Sequence, residues 1–144
     1  MAEGWIEIEA IKQLKARYFR FLDTQCWDEF EGLFAPDCPV LFPEIDAHYS
    51  SGAEFVAFAR DVMKGVVSVH AGYMPEIVLN DDGTAQGIWA MSDDLDAPDG
   101  MPQSGGKPVR MRGAGHYHER YVKIDGEWKF ASMTLNRLRL DVSA

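Results

Sequence analysis

Four histidines, two cysteines and a scatter of carboxylates and tyrosines supply the side chains that could do chemistry in this sequence. Histidine is the side chain whose unperturbed acidity lies nearest neutral pH, so His48, His70, His116 and His118 are the first candidates for moving a proton. His116 and His118 form an HxH pair, which on a strand sends two imidazoles to one face and is a metal-ligand spacing. A cupin-type site would also need a carboxylate a few residues on and another histidine on a later strand. Glu119 follows at once, on the opposite face, and no histidine comes after His118. One or both of the pair are therefore expected to line a cavity or a subunit interface, and no metal is expected. Cys26 and Cys38 lack CxxC or Cys/His zinc spacing and are expected to be reduced and inert.

The second group is Tyr18 and Asp23, five residues apart near the end of a predicted helix. A carboxylate there gains nothing from the helix dipole, whose C-terminal end is negative. Either Asp23 has a functional partner elsewhere in the chain, or it is an ordinary solvated turn residue. Arg137 and Arg139 alternate with Asn136 and Leu138. An inward Arg there could fix a substrate carboxylate, although surface salt bridges are the commoner use of such residues.

The elements that must position these groups begin with Ala10 to Phe34. Ile11, Leu14, Tyr18, Phe21 and Leu22 recur at steps of three and four, the mark of an amphipathic helix facing a core. A shorter helix, Trp27 to Phe34, follows, with Asp28 and Glu29 at its positive end. Cys38 to Pro43 reads as a brief proline-bounded strand suited to a sheet edge, with His48 and Tyr49 in the loop after it. Ser51 and Glu54 have capping-box spacing and open a third helix that ends at Gly65. Val66 to Tyr73, Glu76 to Leu79 and Thr84 to Asp93 read as strands, the last with Trp89, Met91 and Asp93 on one face. Residues 94 to 108 are poor in apolar side chains and suggest a mobile loop or lid. Val109 to Ile124 and Trp128 to Leu140 form two long strands joined through Asp125-Gly126, a strong hairpin signal. The sum is an α+β fold: three helices in the N-terminal half and a curved, mostly antiparallel sheet of about four to six strands, closed into a one-ended cone.

Residues 1 to 144 suit a single domain. The composition, 47% hydrophobic and 12% aromatic, is that of a globular chain with rings to spare for an apolar cavity. A formal charge of −9 repels phosphate backbones and anionic membranes, so nucleic acid is not an expected partner. The acidic N-terminus is unlike a secretory signal, and no apolar run approaches a membrane span. A cytoplasmic protein is expected.

The stretch RYFRFLDTQCWDEFEGLFAPD, the strand bearing His70, and the closing HYHERYVKIDGEWKFASM together resemble the SnoaL-like branch of the nuclear transport factor 2-like superfamily. The likeness spans nearly the whole chain and is closest in kind to its eliminating members: bile acid 7α-dehydratase, scytalone dehydratase and the hexachlorocyclohexane dehydrochlorinases. It implies that Asp23, at the end of the first helix, pairs with His70 on a later strand, that Tyr18 belongs to the same site, and that Asp93 corresponds to a further acidic residue. At the place of a second tyrosine of such dehydratases this sequence has Phe42, with Tyr49 the candidate substitute, which leaves the oxyanion-binding role and the substrate open. The resemblance also implies a homo-oligomer, trimer or dimer.

In such a site His70 would be the base, Asp23 would fix its tautomer and stabilise the imidazolium, and Tyr18 would donate a hydrogen bond to a carbonyl or departing oxygen. Phe42, Tyr49, Trp89, Asp93, His116 and Arg137 are the expected substrate-binding residues. No metal or organic cofactor is required, and the expected partner is an apolar cyclic small molecule. Three functions compete: a dehydratase-type lyase acting on a steroid, polyketide or aromatic-pathway metabolite, an isomerase or cyclase, and a non-catalytic binding subunit like those of ring-hydroxylating dioxygenases. The fold alone cannot separate them.

Overall fold

The computed structural model describes residues 2–144, which form three α-helices and a six-stranded sheet. The helices are α1 (Ala2–Thr24), α2 (Trp27–Glu31) and α3 (Gly52–Val62). The strands are β1 (Val40–Phe42), β2 (Ala47–Tyr49), β3 (Val67–Leu79), β4 (Ala85–Ala97), β5 (Val109–Ile124) and β6 (Glu127–Ser143), in the spatial order β2-β1-β6-β5-β4-β3. The architecture is the expected α+β one, a curved sheet with helices against its concave side.

Five particulars differ from the sequence reading. The helix α1 starts well before Ala10, and α2 stops at Glu31. His48 and Tyr49 belong to β2, which pairs with β1 and takes the edge position. Strand β1 therefore lies inside the sheet and runs parallel to β6, making the sheet mixed. It escapes the usual penalty because Pro39 and Pro43 flank the strand and contribute no missing donor within it. Strand β3 is one element, with a register shift between Tyr73 and Glu76 at the Met74-Pro75 step, where Met74 has φ +40°.

The stripe on α1 is buried as expected at Ile11, Leu14, Tyr18 and Leu22, whereas Phe21 is only partly buried and Phe19 takes its place in the core. Lys15, also on that stripe, is buried completely. Strand β5 alternates sharply, with Gly113, Gly115, Tyr117, Glu119 and Tyr121 inward. The β5–β6 turn places Asp125 and Gly126 at φ +52° and +82°, the paired left-handed geometry of a two-residue hairpin. Residues 98 to 108 are less free than their composition suggests. A short 3-10 turn at Pro102–Ser104 seats Met101, 6% exposed, against Met63, Val66, Leu95 and Ala97. None of the helices among the described residues is long and apolar enough to cross a membrane.

Candidate active site

The end of helix α1 packs against the start of strand β3, and two features hold it there. Gln25 adopts the left-handed conformation, φ +58°, which stops the helix. Its side-chain amide then donates to the carbonyls of Met63 at 2.7 Å and Val66 at 3.1 Å, fastening the helix end to the α3–β3 connection. Asp23 is thereby set against the start of β3. Its carboxylate accepts the Ser68 hydroxyl at 2.8 Å and the His70 backbone N–H at 2.8 Å, and lies 2.6 Å from His70 Nδ1. A carboxylate can only accept, so Nδ1 carries the proton of that bond.

With Nδ1 committed, Nε2 is the nitrogen left to face the interior. His70 lines a half-open cavity of about 180 Å³ between α1, α3 and the strands. The imidazole side chain is 8% exposed, and the Phe19 ring stacks near it at 6.2 Å between centroids. Asp93 Oδ2 lies 3.6 Å from Nε2. The β3–β4 register places His70 directly opposite Asp93, which explains the meeting. Asp93 is itself clamped by Arg137, whose two terminal nitrogens donate to its two oxygens at 3.0 and 2.8 Å. That geometry is the strong bidentate form. Burial works most strongly against the Arg137 charge, but the hydrogen bonds and charge of Asp93, helped by Tyr117 and Glu44, together outweigh it and raise the guanidinium pKa.

Space for the Asp93–Arg137 pair comes from Gly113, the cross-strand neighbour of Asp93. A Cβ on Gly113 would sit 2.5 Å from Asp93 Oδ1 and closer still to the Arg137 guanidinium. Only the absence of a side chain lets the pair occupy the concave face there.

Tyr18 also lines the cavity, and beside it stands Tyr117, with the two hydroxyls 3.4 Å apart. Burial is the main cause that pushes both phenols well above their ordinary pKa, so both stay protonated. The remaining walls are mostly apolar, with Phe42, Phe55 and Phe58 in one group and Met63, Met101 and Met111 in another, and Glu44 and Gln103 add polar side chains.

The structure thus brings His70, Tyr18, Asp93, Arg137 and Phe42 to one cavity, with Asp23 behind His70 on its Nδ1 side. It leaves three expected residues outside. Trp89 is in the core, where its indole N–H donates to the Tyr121 hydroxyl at 3.0 Å. Tyr49 packs behind the wall, against Phe42, Phe55 and Phe58, and does not replace the missing tyrosine. His116 and His118 lie on the outer face of β5, because the inward parity belongs to Tyr117 and Glu119. Among the described residues no three His, Cys, Asp or Glu side chains gather as a metal site. Arg137 turns toward the cavity, where its guanidinium pairs with Asp93.

Sequence reasoning missed Tyr117, Gly113, Lys15 and Glu119. The signal for three of them was present. Tyr117 and Glu119 share the inward parity of β5 with Tyr121, and Lys15 falls between Leu14 and Tyr18 on the apolar stripe of α1. The second tyrosine of the site therefore comes from β5 and not from the segment after α2.

Among known proteins, a probable cyclase of Gibberella zeae, FGR4, is 28% identical over 138 residues, covering 89% of each chain. A crystal structure from Novosphingobium aromaticivorans with a provisional scytalone dehydratase assignment superposes with a TM-score of 0.84 at 19% identity, over 98% of this chain and 91% of the other. A hexachlorocyclohexane dehydrochlorinase, LinA-type3 from Novosphingobium barchaimii, gives 0.80 at 15% identity, over 99% and 94%. These two structural likenesses show the nuclear transport factor 2-like fold. The SnoaL-like domain signature matches residues 6–134, nearly the whole of the chain, and the protein belongs to that family.

Proposed function

We propose that this protein is a cofactor-independent lyase that removes water from a hydroxylated cyclic small molecule. The observation that carries the reading is the His70 imidazole, held through Nδ1 by Asp23 and turned through Nε2 toward an apolar cavity. In the reaction, Nε2 takes a proton from the carbon next to a carbonyl. The electron pair left behind moves onto the carbonyl oxygen, which the Tyr18 and Tyr117 hydroxyls can hold as it becomes negative. The enolate then reforms its carbonyl and expels the β-hydroxyl, which leaves as water with the proton that His70 had taken. Asp23 stabilises the imidazolium between the two steps. The Asp93 carboxylate, its charge met by Arg137, lies beside Nε2 and adds to the same stabilisation.

The dehydrochlorinase and dehydratase names among the structural neighbours support an elimination; the cyclase name of the Gibberella relative supports a second reading. There the same base moves a proton and the molecule closes or isomerises without losing water. Incubation with a panel of hydroxylated steroids and bicyclic ketones, followed by mass analysis, separates the two. Loss of the mass of water supports the lyase; an altered product of unchanged mass supports the isomerase or cyclase. Binding without any product would leave only the non-catalytic alternative. Exposed apolar side chains on the sheet, Val67, Val69, Leu138 and Val142, support a homo-oligomer, to be tested by sedimentation.

A further inference from the structure

Beneath the Tyr18 and Tyr117 hydroxyls lies a buried ion pair that the proton transfer leaves unused. The Lys15 and Glu119 side chains are both fully buried, with Nζ 2.5 Å from Oε2. The other Glu119 oxygen accepts the Tyr121 hydroxyl at 2.7 Å, and Tyr121 accepts the Trp89 indole N–H at 3.0 Å. The Lys15 ammonium also lies over four rings, nearest those of Tyr117 at 3.4 Å and Tyr18 at 3.9 Å from the centroids, with Phe19 at 4.8 Å and Phe130 at 5.5 Å.

As a source of stability such a pair is a poor device. Taking two charges out of water costs more than their attraction commonly returns, and well-packed apolar replacements are often neutral or stabilising. Burial here lowers the Lys15 pKa to about 8 despite the opposing pull of Glu119. The neighbourhood, with Ile11, Leu14, Phe30 and Phe130 buried around it, is otherwise an apolar core. What an ammonium offers there, and a methionine does not, is attraction to two aromatic faces at once. It grips the rings by their faces and takes up neither hydroxyl, and the two hydroxyls touch only each other, at 3.4 Å. The rings meet at 78°, edge to face, and their hydroxyls converge where both line the cavity.

We propose that Lys15, anchored by Glu119, is a positioning residue that clamps the faces of Tyr18 and Tyr117 so that their hydroxyls present a two-donor site at the end of the cavity. The proposal rests on the proton-transfer reading for its catalytic consequence, but the clamp itself is a statement about two rings. Both can be read separately.

The test is the Lys15→Met/Glu119→Gln protein, in which the Tyr121 hydroxyl keeps a partner. Its thermal midpoint is expected to match or exceed that of the parent. With tyrosine labelled at Cζ by carbon-13, the Tyr18 and Tyr117 resonances are expected to move or broaden while those of Tyr49 and Tyr73 stay in place. On a substrate found by product analysis, kcat is expected to fall roughly ten-fold with KM within about two-fold, and no further loss is expected when the pair is exchanged in a Tyr18→Phe/Tyr117→Phe background. Unmoved Tyr18 and Tyr117 resonances would overturn the clamp. So would an equal loss of kcat in the Phe background, which would mark a purely structural role. If the double variant does not fold, Lys15→Met alone, which takes the ammonium off the rings and leaves a carboxyl that can take up a proton, is read in the same way. A parent protein that turns over nothing defeats the proton-transfer reading, and the resonance positions still decide the clamp.

Discussion

Replacing Asp23 by Asn tests the dyad at its most sensitive point, because the change keeps shape and removes one kind of hydrogen-bonding capacity. The carboxylate accepts three hydrogen bonds, from the Ser68 hydroxyl, the His70 backbone N–H and His70 Nδ1–H. An Asn has one oxygen and one NH2. The backbone N–H cannot turn away, so the oxygen must stay with it, and the NH2 is left facing Ser68 and Nδ1. Ser68 can rotate its hydroxyl to accept. His70 can accept at Nδ1 only by moving its proton to Nε2, the nitrogen that faces the cavity. The base then arrives already protonated. In a catalytic triad this tautomer error costs about four orders of magnitude in kcat, and here about 10³ to 10⁴, or roughly 4 to 5.5 kcal/mol, is expected. Stability should change far less, by about 1 kcal/mol, since each hydrogen-bonded position can still be satisfied. Nitrogen-15 chemical shifts of the His70 ring report the tautomer directly: Nδ1–H in the parent, Nε2–H in the variant. A variant that keeps the Nδ1–H form, or that keeps parental turnover, would refute the reasoning.

Three further outcomes follow from the same geometry. Arg137→Met strands the Asp93 carboxylate, whose side chain is 4% exposed, and should cost about 3–5 kcal/mol in urea unfolding, with Asp93→Asn added to it restoring much of the loss; a cost under about 1 kcal/mol would contradict the burial argument. Stability against pH should have an alkaline cliff. Tyr18, Tyr117 and Tyr121 have folded pKa values raised chiefly by burial, so their contribution is whole below about 10 and is lost above it. Lys15, lowered to about 8, works the other way between about pH 8 and 10.5, and Cys38, pushed up to about 12, opposes it from about pH 9. Unfolding followed against pH should therefore show stability rising by about 1.4 kcal/mol between about pH 8 and 9, staying nearly level to about pH 10 and then falling with a slope approaching about 5 kcal/mol per pH unit; a decline that starts below pH 8 would show another group in control. Cys38, fully buried, should resist thiol reagents until the protein unfolds, whereas Cys26, half-buried, should react first; equal native rates would contradict the packing.

Much of the site is legible in the sequence because its two halves announce themselves locally. A carboxylate at the wrong end of a helix and a histidine in a β-rich run each ask for a partner. The HxH pair shows the opposite case: its spacing is right for a site, but the alternation of β5 gives the interior to Tyr117 and Glu119. What the sequence hides depends on register. The Asp93–Arg137 clamp requires Asp93 opposite Gly113, and a shift between Ala114 and Gly115 sets Arg137 beside Gly115, which no local pattern encodes. Strand β2 is hidden for a related reason: three residues are too few to show alternation, and pairing with β1 alone makes them a strand. Lys15 violates the rule that charges stay outside, and its meaning appears only when Glu119, 104 residues away, is seen against it.

The central claim is that His70 Nε2 removes a proton from carbon, and hydrogen exchange measures that act without waiting for the natural substrate. Bicyclic ketones lacking a leaving group, incubated with the protein in heavy water, should gain deuterium next to the carbonyl. His70→Gln, folded to the same thermal midpoint, should lower that rate by at least about 100-fold. Exchange by His70→Gln at the parental rate would place the base elsewhere and contradict the account.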